Sequence, residues 1–141
     1  MEHNHPRVRV SDLLLLVFSA VELAGVRTFF APCGPKEDGS WMSCHWAGQA
    51  VTGAAVVLVV LALIHLAVRS PEMKLGLDVG LLAAAVYTAL VPGRLIGLCM
   101  MPEMRCHRLM TPGVTVCAVL ILAAAVLDSF LLRRGTTRHG L

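Results

Sequence analysis

Four apolar runs constrain this chain more than any other feature. They cover about residues 12–31, 47–68, 77–98 and 113–132. Each is near or above the roughly 18 residues that a helix needs to cross a bilayer core. Buried helices of a soluble bundle would carry polar stripes, but VTGAAVVLVVLALIHLAV and VTVCAVLILAAAVL carry almost none. Only 15% of the residues are charged, against about 25% in a soluble domain. The expected fold is therefore all-α: an integral membrane four-helix bundle, one domain over residues 1–141, in a lipid bilayer. The first run ends in FFAPC. A proline directly before the cysteine does not suit lipoprotein processing, so this run reads as a retained helix.

Lysine and arginine set the orientation. With the N-terminus inside, the inner segments hold seven of them: Arg7, Arg9, Arg69, Lys74, Arg133, Arg134 and Arg138. The outer loops hold three, Lys36, Arg105 and Arg108, or five with Arg27 and Arg94 at the outer membrane edge. Both termini are expected in the cytoplasm of a cell with an inner (plasma) membrane, and the cysteine loops outside it. The net charge of +3 follows from this bias and does not point to nucleic acid.

The chain also reads as a repeat. Folded at RSPEMK, Cys33 matches Cys99, and Met42-Ser43-Cys44-His45 matches Met104-Arg105-Cys106-His107. Asp12 matches Asp78, and Arg27 and Arg94 lie six and five residues before the first cysteine of each half. Two tandem hairpins, about 11–69 and 75–134, would form a parallel 2+2 repeat about an axis along the membrane normal. Small residues such as Gly48, Gly53, Gly80 and Ala123 allow close helix approach. Pro92-Gly93 is expected to kink the third helix near its outer end. Trp41 and Trp46 suit the membrane interface.

Four of the five cysteines fall in the two outer loops, and Cys117 lies within a helix as a small apolar packer. An oxidising exterior favours disulfides. The expected pairs are Cys33–Cys44 and Cys99–Cys106, each closing a short loop, with pairing across the halves left open. Two chemical alternatives stand beside these braces. Cys44 and Cys106 precede helix N-termini, which favours thiolate, so the four cysteines could exchange disulfides with quinone as cofactor. The spacings C-x10-C and C-x6-C, not C-x-x-C, depart from that plan. The other alternative is copper: Met42, His45, Met104 and His107, with Met100 and Met101, are soft ligands suited to Cu(I).

Glu22 lies near the middle of the first run, where a charge costs roughly 2.5–3.5 kcal/mol on insertion scales. It is a candidate relay or partner contact. Arg27 and Arg94 are expected to tie the loops through carbonyls, Glu37, Asp38 or Glu103, or else to snorkel outward. His65 and Asp128 near the inner helix ends would meet water or each other, and the HNHP segment is too short for a metal site.

FFAPCGPKEDGSWMSCHWAGQA and LIGLCMMPEMRCHRLMTP together resemble a bacterial family of small four-helix membrane proteins of unknown function. The resemblance carries over Cys33, Cys44, Cys99, Cys106, Met42, Met104 and His45. It implies an accessory role beside ABC-type exporters. In architecture alone the chain is also similar to quinone-linked disulfide-forming membrane proteins. The expectation is a non-enzymatic accessory or interaction subunit without a cofactor, with a membrane-protein partner or a second copy of itself. The thiol oxidoreductase and the Cu(I)-binding protein are its alternatives.

Overall fold

The computed structural model describes residues 9–139. The HNHP segment and Arg7 lie outside them. Four α-helices account for most of this span: α1 (Val10–Arg27), α2 (Ser43–Ala67), α3 (Pro71–Leu90) and α4 (Thr111–His139), with a π-helical turn at Cys106–Met110 leading into α4. Three segments are long and apolar enough to cross a membrane: Ser43–Ala67, Pro71–Leu90 and Cys106–Gly135. Among the described residues the only β-pairing is an isolated bridge between Pro92 and Ile96.

The main contacts run around a ring: α1 meets α2 and α4, and α3 meets the same two helices. The helices alternate in direction, so the 28–42 and 91–105 loops share one end and the 68–70 turn lies at the other. The outward faces are apolar throughout: Val17, Val21, Val56, Val60, Leu63, Val86, Val119, Leu127 and Phe130 are all exposed. In water such a surface would aggregate; in a bilayer it meets acyl chains.

The interior is layered along the axis. Leu15, Leu58, Leu81, Ile121 and the alanines 62, 85, 124 and 125 form one apolar cluster. Val26, Val51, Val91, Met110 and Val114 form a second, nearer the cysteine loops. Polar side chains occupy three further levels. Ser11, Asp12, His65, Lys74, Asp78 and Asp128 are buried at the end with the 68–70 turn, and Ser19, Glu22 and Thr88 are buried further along the axis. The thiols form the third level, at the opposite end.

Local sequence explains where the helices stop. Pro71 begins α3, where its missing N–H costs nothing. α3 ends at Leu90, not at 98: Val91 keeps helical angles, φ −56° and ψ −53°, but Pro92 has no N–H to continue the ladder. The chain then turns on Gly93, whose φ of 84° suits glycine, and the Gly93 N–H donates to the Ile96 carbonyl at 3.0 Å. Thus 91–98 is an irregular lead into Cys99 and not a kinked continuation of the helix. α1 stops at Arg27, and the Thr28 and Phe30 N–H groups both return to the Gly25 carbonyl. That tight return lays the Phe30 ring over Gly25 and against Gly113 of α4; a Cβ at either glycine would collide with it. Pro32 sits on Gly48 in the same way, 2.5 Å from where a Cβ would be. Glycine here permits ring-on-backbone contact, the close approach that replaces hydrophobic association in lipid.

Candidate thiol centre and buried polar cluster

α2 begins at Ser43, so Cys44 lies in its first turn, and Cys106 opens the π-helical turn before α4. Helix N-termini concentrate partial positive charge, which stabilises thiolate. Cys33 and Cys99 arrive from the two loops. The Sγ atoms of Cys33, Cys44, Cys99 and Cys106 all lie within 4.8 Å of one another. The closest approaches are Cys33–Cys106 at 3.1 Å and Cys44–Cys99 at 3.2 Å, followed by Cys99–Cys106 at 3.9 Å.

This arrangement corrects the disulfide expectation. All four are free thiols. No pair is at the bonded separation of about 2.05 Å. The nearest contacts also cross between the hairpins, not within them as Cys33–Cys44 and Cys99–Cys106 would. Loop length had favoured local closure, but both loops fold over the same bundle end and bring the halves together. Cys117, in α4, is buried and takes no part in this cluster.

Burial works against ionising Cys33, but the Cys106 and Cys44 thiols and backbone groups at Cys106 and Arg105 outweigh it and hold Cys33 below the ordinary thiol range. Met42 reaches the cluster, its Sδ 3.5 Å from the Cys99 sulfur. The other soft ligands expected from sequence are engaged elsewhere or face outward. His45 stacks on Trp41 at 4.0 Å and meets Trp46 edge-on at 5.4 Å. The His107 Nε2 donates to the Cys99 carbonyl at 2.7 Å and so braces the loop that carries the thiol. Met100 and Met101 are exposed.

Arg27 and Arg94 are exposed, and neither has a hydrogen bond or ion pair among the described residues. The proposed loop ties are therefore not formed; the outward, snorkelling alternative matches their placement. Asp38 is held locally instead, accepting from the Ser40 N–H at 3.0 Å and the Ser40 hydroxyl at 2.7 Å, which holds its carboxyl below the usual range. Glu22 is fully buried, near Thr88 and Cys117, and neither carboxyl oxygen has a hydrogen-bond partner.

The second cluster was half legible in the sequence: His65 and Asp128, expected to meet water or each other, meet each other, and two further aspartates join them. His65, Asp12, Asp78 and Asp128 come from four different helices and are at most 1% exposed. The His65 Nδ1 lies 3.1 Å from Asp12, and its Nε2 lies 3.1 Å from Asp78 and 3.2 Å from Asp128. Lys74, counted from sequence as a cytoplasmic loop charge, folds inward and holds both Asp12 oxygens at 2.9 Å. Distance from the helix end was no guide: Asp12 and His65 lie two residues from the ends of their helices, Asp78 seven and Asp128 eleven.

The fold and thiol centre define a small all-helical bundle of membrane character, with sulfur ligands converging at one end. The chain belongs to the family described as a domain of unknown function, DUF4418, which it matches over residues 15–131. No curated protein and no solved structure matches it.

Proposed function

We propose that this protein is a plasma-membrane soft-metal protein, binding one thiophilic d10 cation, Cu(I) or Zn(II), through Cys33, Cys44, Cys99 and Cys106. The observation that carries this reading is the mutual approach of four sulfurs within 4.8 Å. Four thiolates bonded at about 2.3 Å around a tetrahedral ion lie roughly 3.8 Å apart. The thiol separations fall on either side of that value, so small movements complete the shell. Met42 adds a thioether at the edge, a ligand that favours Cu(I). The N-termini of α2 and of the turn into α4 offset the negative charge of the thiolates.

In this reading the two hairpins are the halves of a parallel repeat, each giving one loop cysteine and one helix-start cysteine. Both termini face the cytoplasm and the thiol end faces outward. Phe29, Trp46, Met100 and Met101 are exposed at that end. They favour an accessory role in which a membrane partner, such as an exporter subunit, docks beside the metal.

The test is elemental analysis of protein purified anaerobically in mild detergent after growth with copper or zinc. One equivalent of metal per chain is expected, lost in Cys106→Ser with the helical content unchanged. A metal-free protein isolated with two disulfides would overturn the reading and favour thiol exchange.

A further inference from the structure

The cluster at the other end of the bundle has the organisation of a second metal centre. Asp78 Oδ1 and Asp128 Oδ2 both approach His65 Nε2. The histidine nitrogen lies 3.1 and 3.2 Å from the two oxygens. Ligands bonded at about 2.1 Å to one ion, at angles between a right angle and the tetrahedral value, lie roughly 3.0–3.4 Å apart. All three residues are 0% exposed, and none of these three atoms has an in-line hydrogen-bond partner. One buried nitrogen shared between two carboxylate oxygens, with an in-line hydrogen bond to neither, is costly, and an ion between them would relieve that cost.

The outer oxygen of each carboxylate meets a supporting hydroxyl. The Ser11 hydroxyl donates a short hydrogen bond to Asp128 Oδ1, and the Ser129 hydroxyl donates to Asp78 Oδ2 at 2.8 Å. Asp12 Oδ1 faces His65 Nδ1 at 3.1 Å, the carboxylate–imidazole contact that fixes a metal-binding histidine with Nε2 free. Asp12 also offers a ligand atom, within 4.8 Å of those of His65 and Asp128. Its two oxygens, however, are both taken by the Lys74 ammonium at 2.9 Å, and Oδ2 also accepts the Arg9 N–H at 3.1 Å. Asp12 is therefore the supporting carboxylate and Asp78 the ligand.

Charge selects the ion. Asp12, Asp78 and Asp128 bring three negative charges and Lys74 one positive, with His65 neutral as a ligand. A divalent cation brings the sum to zero, as a buried site requires. One imidazole and two carboxylates suit a borderline ion of the Mn(II), Fe(II) or Zn(II) class. We propose that His65, Asp78 and Asp128 bind one divalent transition-metal ion, supported by Asp12, Ser11 and Ser129. This site is independent of the thiol centre: Cys44 and His65 are 21 residues apart on α2, or about 32 Å.

Mn(II) is the discriminating probe, because thiolates bind it poorly and carboxylates well. Full-length protein purified after growth in Mn(II) is examined by electron paramagnetic resonance, alongside a variant with all four loop cysteines changed to serine. One tightly held Mn(II) per chain is expected in both. Asp128→Asn should weaken binding at least tenfold, and the milder Ser129→Ala about tenfold by loosening Asp78. Absence of bound Mn(II), Fe(II) and Zn(II) from the helical four-serine variant would overturn the proposal. So would Mn(II) binding that Asp78→Asn, Asp128→Asn and Ser129→Ala all leave unchanged. A doubly protonated His65 imidazole in the Mn(II)-grown protein, read by nitrogen resonance, would overturn it too, because both ring nitrogens would then be donors.

Discussion

Single side chains decide how this bundle closes. The Phe30 ring lies where a Cβ on Gly25 or Gly113 would be. Gly25→Ala must therefore expel the ring or separate α1 from the loop that bears Cys33. We expect a loss of about 1–3 kcal/mol, of the kind seen on overpacking a filled site, read as a lower melting temperature in detergent. Gly53→Ala is the control, since nothing lies within 4 Å of its added Cβ. Glu22 behaves differently. Its carboxyl is buried without a hydrogen-bond partner, so Glu22→Leu should raise stability by about 1–3 kcal/mol in thermal unfolding. A lower melting temperature would show that the acid has a stabilising partner after all. The sequence announced Glu22 because it interrupts an apolar run. It did not announce Phe30, because nothing in FFAPC says which ring turns back onto a glycine.

At the level of elements, the π-helical turn controls the thiol centre. Its signature bond runs from the Thr111 N–H to the Cys106 carbonyl, reinforced by the Thr111 hydroxyl at 2.9 Å. One extra residue in that turn rotates Cys106 relative to all of α4, and such bulges often mark functional positions. Deleting Leu109 restores α-helical register and turns Cys106 by about 100°. Cross-linking of Cys33 to Cys106 by a short bis-maleimide should then fall to background while helical content persists. Helix existence was legible from apolar run length alone. Helix ends were less so: 91–98 is apolar enough to extend α3, but proline and glycine stop it, and hydropathy does not register that conflict. α1 was readable as a member of the set, although Asp12 and Glu22 lie within it and it is not among the three segments apolar enough to cross by themselves.

Taken whole, the molecule draws its two polar centres from distant parts of the sequence. That explains why neither was fully legible. Cysteine spacing suggested local pairs because spacing measures loop length, whereas the folded ring of helices decides which loops meet. The charged cluster was partly legible: His65 and Asp128, 63 positions apart, were expected to meet water or each other, and only the packing of the four helices adds Asp12 and Asp78 to them. Metal at the thiol end should also stabilise the whole fold, since its ligands span both hairpins. Chelation by a Cu(I)- or Zn(II)-selective agent should lower the melting temperature, by the equivalent of about 4 kcal/mol at a free metal level 1,000 times the dissociation constant. The Cys99→Ser variant should show little change on the same treatment.

The crossing of the thiols between the two halves has a mechanical corollary. A site built within one loop could exchange its ion by local breathing of that loop. Here Cys33 and Cys44 lie on one half and Cys99 and Cys106 on the other, so the shell behaves as a clasp. If the proposed ion is bound there, it could not leave without the mouth of the bundle parting, nor could the mouth part without losing the ion. A docking protein that pried the 28–42 loop from the 91–105 loop would thereby unload the metal, with no competing ligand needed for the first step.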